Sequence, residues 1–240
     1  MSLSKKELFE LVGMHIGDGC ISKTKKYEEY ALCGDLKEER DYYDSYVSPL
    51  INKNVFKPIL NKEILPKEYP STGVYGFYVF NSKIVRFYKN LGLKSGSKLN
   101  VKIPQKFIKD TNIKYLIRGL FDTDGSLYFE KNRSAKKPKN KVPNIKIGTT
   151  SKGLSKQLIK ILSHLRYHPT SKNPFRGKRD KNNVYSVLIY RKGDIERWIK
   201  EIGFKNPKHY TKWLVFKKLG YCPPYTTIAE RKEILKQKPL

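Results

Sequence analysis

Two aspartates stand in matched frames in this chain: LVGMHIGDG from Leu11 to Gly19, and IRGLFDTDG from Ile117 to Gly125. Each frame has glycine third, aspartate eighth and glycine ninth, with apolar residues around them. Each reads as the last turns of a helix, where the macrodipole leaves partial negative charge and a carboxylate gains nothing. Asp18 and Asp124 are therefore poorly explained as structural residues. Brought together, they would repel, and one would take up a proton unless a cation lay between them. Mg²⁺ suits carboxylates, main-chain carbonyls and water. The matched acids thus ask for a shared divalent ion, which can activate water and stabilise charge on a phosphorus centre.

The elements that must position these acids are legible around them. Gly13 and Gly17 fall on one helix face, as do Gly119 and Thr123. A face reduced to small residues lets two helix backbones approach closely. Packing through these faces would leave Asp18 and Asp124 side by side at the same end. Gly19 and Gly125 fit a left-handed residue closing each helix. Ser4 and Glu7 have the spacing of a capping box for the first helix. Asp122, two residues before Asp124 and about 200° away round the helix, is peripheral to any metal that Asp124 holds.

The duplication extends beyond the motifs. FYVFNSKIVRFYKNLGLK, from Phe77, aligns without gaps to LIYRKGDIERWIKEIGFK, from Leu188. LCGDLK, from Leu32, matches IGTTSK, from Ile147. Strand patterns cover Gly19 to Lys23, Tyr27 to Cys33, Val74 to Phe80 and Val184 to Tyr190. Helical spacing covers Tyr43, Tyr46, Val47 and Leu50, then Ile84 to Leu91, Leu158 to Leu165 and Asp194 to Ile202. Asn206-Pro207 should cap and open a helix reaching Leu219. Thr227 and Glu230 form a capping-box pattern for a short appended helix. The expected class is α+β, a tandem pseudo-two-fold repeat of α-β-β-α-β-β-α halves. The halves cover 1–100 and 101–222, with a connector near 95–112 and a tail over 223–240.

At these motifs the chain resembles the LAGLIDADG homing endonucleases in their single-chain, two-motif form. The first motif departs from that pattern at Val12, Met14, His15, Ile16 and Gly17, the second at Ile117, Arg118, Phe121 and Thr123. The third-position glycine and the terminal Asp-Gly survive in both, and the resemblance runs to about Tyr221. It implies motif helices packed at a central interface, antiparallel sheets forming a DNA-binding saddle, and one carboxylate per strand of a double-strand break. It also implies that the main-chain carbonyls of Gly17 and Thr123 complete the metal shell and that a basic residue stands near each site. The aligned candidates are Lys98 and Lys208. Mg²⁺ is the expected ion, with Mn²⁺ substituting and Ca²⁺ supporting binding without turnover. Asp35 with Thr150, and Leu36 with Ser151, fall where water-positioning residues would stand, and Leu36 departs from a polar pattern.

Composition agrees with a polyanionic partner. Fifty Lys and Arg against twenty-two Asp and Glu leave a net charge of +28, an imbalance that points to nucleic acid. With 38% hydrophobic residues, the chain can bury a core. No apolar run approaches a membrane span. Three scattered cysteines without a CxxC exclude a structural zinc and fit a reducing intracellular compartment, such as prokaryotic cytoplasm or an organelle interior. Between Lys131 and Lys141 stand six positive residues and no acid, and between Lys172 and Lys181 five against one. A two-stranded ribbon fits the major groove, so these turns and strands supply the expected DNA contacts. They are Lys23, Lys25, Lys26, Tyr27, Lys37, Arg133, Lys137, Lys139, Lys146, Arg176, Lys178, Arg179 and Tyr185. His15 is read as a packing residue.

The expected activity is site-specific double-strand cleavage of a long DNA target by an intron-encoded monomer that needs no protein partner. Two other readings fit the same residues: an RNA maturase assisting intron splicing, and a DNA-binding regulator with an inactive site. No nucleophilic Cys or Ser at a junction marks a protein-splicing domain. The host and the target sequence are not written in these residues.

Overall fold

The computed structural model describes residues 4–24, 27–131, 140–177 and 181–237. The first repeat opens with helix α1, Lys5–Gly17, followed by strands β1, Gly19–Lys23, and β2, Glu28–Asp35. Helix α2 is a continuous helical run over 40–60, interrupted by two π turns, Tyr43–Val47 and Asn52–Phe56. Strands β3, Lys67–Tyr69, and β4, Val74–Phe80, and helix α3, Ser82–Asn90, complete the repeat. A 3₁₀ turn, Lys98–Asn100, and a single helical turn, Gln105–Ile108, lie in the connector.

The second repeat follows the same order. Helix α4, Ile113–Asp124, leads into β5, Gly125–Lys131, and β6, Asn140–Thr149. Helix α5, Lys152–His164, strands β7, Thr170–Phe175, and β8, Val184–Ile189, and helix α6, Lys192–Glu201, come next. Helices α7, Pro207–Leu219, and α8, Ile228–Lys236, end the chain. Two four-stranded antiparallel sheets result, ordered β1-β2-β4-β3 and β5-β6-β8-β7. Identical strand order in both sheets is the structural form of the duplication.

Sheet register tests the internal alignment residue by residue. Gly19 pairs with Leu32 and Gly125 with Ile147, so the match of Leu32 to Ile147 holds. Leu32 then pairs with Phe77, and Ile147 with Val187. Phe77 therefore matches Val187, not Leu188, and the gapless alignment is one residue out of phase through the strands. Beyond the helices the aligned pair Gly92 and Gly203 agrees again, both with positive φ. One extra residue at the strand-to-helix corner of the second repeat accounts for the shift. Because strand side chains alternate faces, this slip exchanges core for surface.

Two capping expectations fail and two hold. Ser4 precedes α1 but makes no side-chain cap bond, and Glu7 pairs instead with Lys53 at 2.8 Å. Gly19 and Gly125 are not left-handed; each begins a strand, and Gly125 is extended, at φ −87° and ψ 169°. A side chain is excluded there for another reason. A Cβ at Gly19 would strike His15, and one at Gly125 would lie 2.7 Å from a ring carbon of Phe121. Asn206 does cap α7, accepting from Lys208 N with Pro207 in the first turn. Thr227 and Glu230 form the complete capping box of α8.

The core runs through both repeats. Leu11, Val12, Met14, Leu116, Leu120 and Phe121 are buried along the paired motif helices. His15 is 5% exposed and stacks on Tyr88 and Tyr30, at 5.0 and 5.7 Å between ring centres, as a packing residue should. Trp198 of α6 lies edge-on to Phe121 at 5.3 Å and is fully buried. The connector is fastened to the second repeat. The Gln157 side-chain amide bonds to both the N–H and the carbonyl of Ile103, and Ser151 donates to Val101 O at 2.7 Å.

Candidate active site

The seam between α1 and α4 is made of backbone. A Cβ at Gly13 would clash with Leu116 O and lie 2.8 Å from Leu120 N, while one at Gly119 would clash with Glu10 O and lie 3.0 Å from Met14 N. A Cβ at Gly17 would overlap the Thr123 hydroxyl and stand 3.6 Å from Asp124 Cγ. Real Cβ atoms do not approach main-chain atoms this closely, so each glycine is required by the neighbouring helix. The predicted interface residues Gly13, Gly17, Gly119 and Thr123 are thus brought together, and Asp18 and Asp124 finish at the same end.

Asp18 caps α1, and Asp124 is the last residue of α4. Asp18 Oδ2 is buried without a hydrogen-bond partner. Burial pushes the Asp18 carboxyl up to about 8, helped by the negative charges of Glu39 and Asp124 and opposed by Lys98 and Lys208. Asp124 keeps an exposed face. Its carboxyl is raised too, chiefly by the atoms crowded round it, with Lys98 and Lys208 pulling the other way. A buried acid with an unpartnered oxygen is costly to ionise unless a cation offsets its charge. Among the described residues, no group of three His, Cys, Asp or Glu side chains forms a metal cluster. A cation here would rest on the two carboxylates, main-chain carbonyls and water, the donor set that Mg²⁺ accepts.

Thr123 O is the exception in the expected metal shell. It accepts from Lys208 Nζ at 3.0 Å, so an ammonium already occupies one lone pair of that carbonyl. Lys208 also pairs with Glu39 Oε1 at 2.6 Å. Glu39 was invisible in the sequence, one acid among several in DLKEER, yet it is only 5% exposed. Its carboxylate also accepts from Asn206 Nδ2 at 2.7 Å and from Asp35 N at 2.8 Å. It ties the first repeat to the lysine of the second. Asp122 is not peripheral in the structural sense. It is fully buried and accepts from the N–H groups of Lys205 and Asn206, fixing the start of the helix that carries Lys208. Lys98, by contrast, stands exposed on its 3₁₀ turn. It acts on Asp18 and Asp124 through its charge.

Three of the four water-positioning candidates have structural partners. Asp35 Oδ1 accepts from Lys37 N and Glu38 N in a turn, Leu36 packs on the core, and buried Ser151 caps α5 by accepting from Leu154 N. Thr150 is half-buried beside it.

The sheets present unequal concave floors. In the second repeat, Ser126, Tyr128, Glu130, Lys146, Lys172 and Ser186 line a cavity of about 480 Å³ that opens beside Asp124. Lys146 is therefore on the floor, as expected. Tyr185 shares its strand face with the core residues Val187 and Ile189 and not with the floor. In the first repeat, the face shared by Ala31, Tyr78 and Phe80 carries exposed aromatics, with Phe80 at 62%. Tyr27 sits edge-on to Phe80 at 5.2 Å. Lys23 ends β1 on the other face and pairs with Glu28 at 3.5 Å. Lys37 and Arg176 are exposed. Lys25, Lys26, Arg133, Lys137, Lys139, Lys178 and Arg179 lie outside the described residues. Strand alternation, counted from Asp124, could have found Tyr78, Phe80 and Lys172 in the sequence.

Part of the sequence and the fold as a whole have known counterparts. Residues 112–203 match the LAGLIDADG-like domain family. The fold is that of I-WcaI, a homing endonuclease solved bound to its DNA recognition sequence, with a TM-score of 0.54 and 17% identity over 87% of this chain and 84% of that one. It is also that of I-SmaMI, solved bound to an uncleaved DNA target in the presence of calcium ions, with a TM-score of 0.53 and 11% identity over 95% and 97% of the two chains. The replication factor C small subunit of Methanocaldococcus jannaschii is 26% identical over 212 residues, which is 87% of this chain and 10% of that protein. Residues 112–203 are thus similar to a LAGLIDADG-like domain, and the fold is shared with I-WcaI and I-SmaMI. Among the described residues, no helix is long and apolar enough to cross a membrane.

Proposed function

We propose that this chain is a site-specific DNA endonuclease that makes a double-strand break by metal-dependent phosphodiester hydrolysis. The observation that carries the reading is the pair Asp18 and Asp124, brought to one end of a glycine-packed helix seam with Asp18 Oδ2 unpartnered. When bound, a divalent ion, Mg²⁺ by its liking for carboxylates and water, would supply an activated water and neutralise charge on phosphorus. Asp18, Asp124 and the Gly17 carbonyl would hold and orient it. Lys208, fixed by Glu39 and Thr123, would set positive charge against the negative charge that develops on the leaving oxygen of one strand. Lys98 offers the same charge to the other strand from a looser position. The concave floors, basic in the second repeat and aromatic in the first, would take the flanking duplex. The DNA-bound relatives support this placement.

Asp18→Asn and Asp124→Asn should each abolish double-strand cleavage while duplex binding survives. Mg²⁺ and Mn²⁺ should support cutting, and Ca²⁺ binding alone. Cleavage of both strands at a near-parental rate by either variant would overturn the metal-site reading. Retention of both motif acids favours the nuclease over a regulator with an inactive site. The replication protein carries its similar segment within a much longer polypeptide, so that match does not bear on intron encoding. Sequencing the flanks of this reading frame, with intron boundaries expected on both sides, tests intron encoding.

A further inference from the structure

Away from the concave floors, β5, α7 and the C-terminal segment enclose a second cavity, of about 750 Å³. Lys131, Lys212 and Arg231 line it, and Glu38 and Tyr225 stand at it. Arg231 is only 2% exposed. Its Nε donates to Thr211 Oγ1 at 2.8 Å and its Nη1 to Thr226 O. Nη2 makes no hydrogen bond among the described residues and is not sealed from the cavity. No carboxylate among them lies within ion-pair distance of Arg231 or Lys212. Glu230, the acid beside Arg231, is spent on the capping box of α8.

Two cations drawn out of water together, with Glu38 near them but ion-paired to neither, are costly unless a further anion joins them. The Lys212 ammonium is held below its usual range by burial first and by Arg231 second, with Glu38 opposing the shift. The rim carries a further anomaly. Tyr225 is fully exposed and has φ +59°, a left-handed conformation that costs a non-glycine residue about 1–2 kcal/mol. An exposed aromatic held at such a cost beside buried cations is suited to stack on a nucleic acid strand. Position agrees, because Lys212 lies one helical turn beyond Lys208, about 5–6 Å along α7.

We propose that this cleft is a phosphodiester seat, in which Arg231 Nη2 and Lys212 receive one backbone phosphate of the bound duplex and Tyr225 packs on the adjoining nucleotide. The inference rests on the reading of the chain as DNA-binding and adds a contact outside both sheets, beside the cleavage centre. The seat explains why the chain continues past the second repeat. Residues 221–231 close the cleft, and Lys232 anchors the segment to the first repeat through Asp41 at 2.6 Å.

Two measurements test it. Duplex binding is titrated against salt for the parent, Lys212→Gln and Tyr225→Ala. Lys212→Gln should weaken binding about tenfold and reduce the slope of log K against log salt by about 0.9, one phosphate contact, at a melting temperature no lower than the parent's. Tyr225→Ala should weaken binding and leave the slope alone. An unchanged slope in Lys212→Gln overturns the seat. Separately, inorganic phosphate replacing chloride at fixed ionic strength should raise the melting temperature of the parent and not that of Lys212→Gln or Arg231→Lys. A parent that binds no duplex but shows this phosphate effect keeps the anion site and refutes the DNA reading. A parent indifferent to phosphate refutes the site itself.

Discussion

The two repeats share strand order and glycine seam, yet they hold their lysines by different means. In the second repeat Lys208 sits on a 13-residue helix whose first turn is pinned by Asp122 and whose ammonium is clasped by Glu39. In the first repeat the position that matches Asp122 by motif is Ile16, which is apolar and buried. It cannot anchor Lys98, which is left on an exposed 3₁₀ turn. Arg118 repeats the pattern. It stands where the first motif has Val12, and grips Glu10 with two bonds, at 2.5 and 2.9 Å. Of the second motif's departures from its sister, Arg118 fastens one repeat to the other and Asp122 braces its own. The lesson is that a duplicated site becomes asymmetric through its supports while its acids stay alike.

The sharpest way to break the comparison is to destroy what the halves share. Gly119→Ala places a Cβ against Glu10 O and should force the seam open. Misplacing the acids by about 1 Å should cost on the order of a hundredfold in cleavage, with overpacking destabilising the fold by about 1–3 kcal/mol. Binding by the sheets should suffer less. Single-turnover cleavage beside a binding titration decides it, and undiminished cutting would refute the seam.

Glu39→Gln removes only the asymmetry. Freed of its clasp, Lys208 should serve one strand about tenfold less well and leave the other near parental. End-labelled strands followed separately would show accumulation of a single-strand nick, and equal slowing of both strands would count against a strand-specific clasp. Lys98→Ala should slow the opposite strand in the same assay, by a smaller factor because that lysine is less ordered to begin with.

The smallest effect is on stability and its pH dependence. Asp18 has a folded-state value near 8, above its unfolded value, so the folded state binds the extra proton between about pH 4 and 8. Metal-free stability attributable to this group is full below pH 4 and declines as pH rises towards 8. Asp18→Asn should flatten that decline and gain about 1–3 kcal/mol at pH 8. Melting curves across pH in chelator provide the check, and parallel curves for parent and variant would contradict it.

Much of this was readable because it follows from local rules. Small residues at helical spacing announced the seam, Asn206-Pro207 announced α7, and two Asp-Gly ends announced the acids. What escaped depends on contacts distant in sequence. Glu39 looks like one more solvated acid until Lys208, far along the chain, is folded against it. Gly19 and Gly125 were legible as obligatory glycines, but their reason is a collision with the preceding helical turn and not a positive φ. Tyr185 was named as a DNA contact, and only pairing with β6 reveals that it shares the face of Val187 and Ile189. The turn lysines carry charge without register, so composition could propose them and not arrange them.

Both tryptophans of the chain, Trp198 and Trp213, belong to the second repeat, and Trp198 leans on Phe121 of its motif helix. Indole emission is therefore a private signal of that half, while tyrosine absorbance sums over both. Following the two bands during denaturation asks whether the seam makes the repeats melt as one cooperative unit. Coincident transitions would mean that the backbone contact of two helices is enough to merge an ancestral pair of modules into a single thermodynamic object.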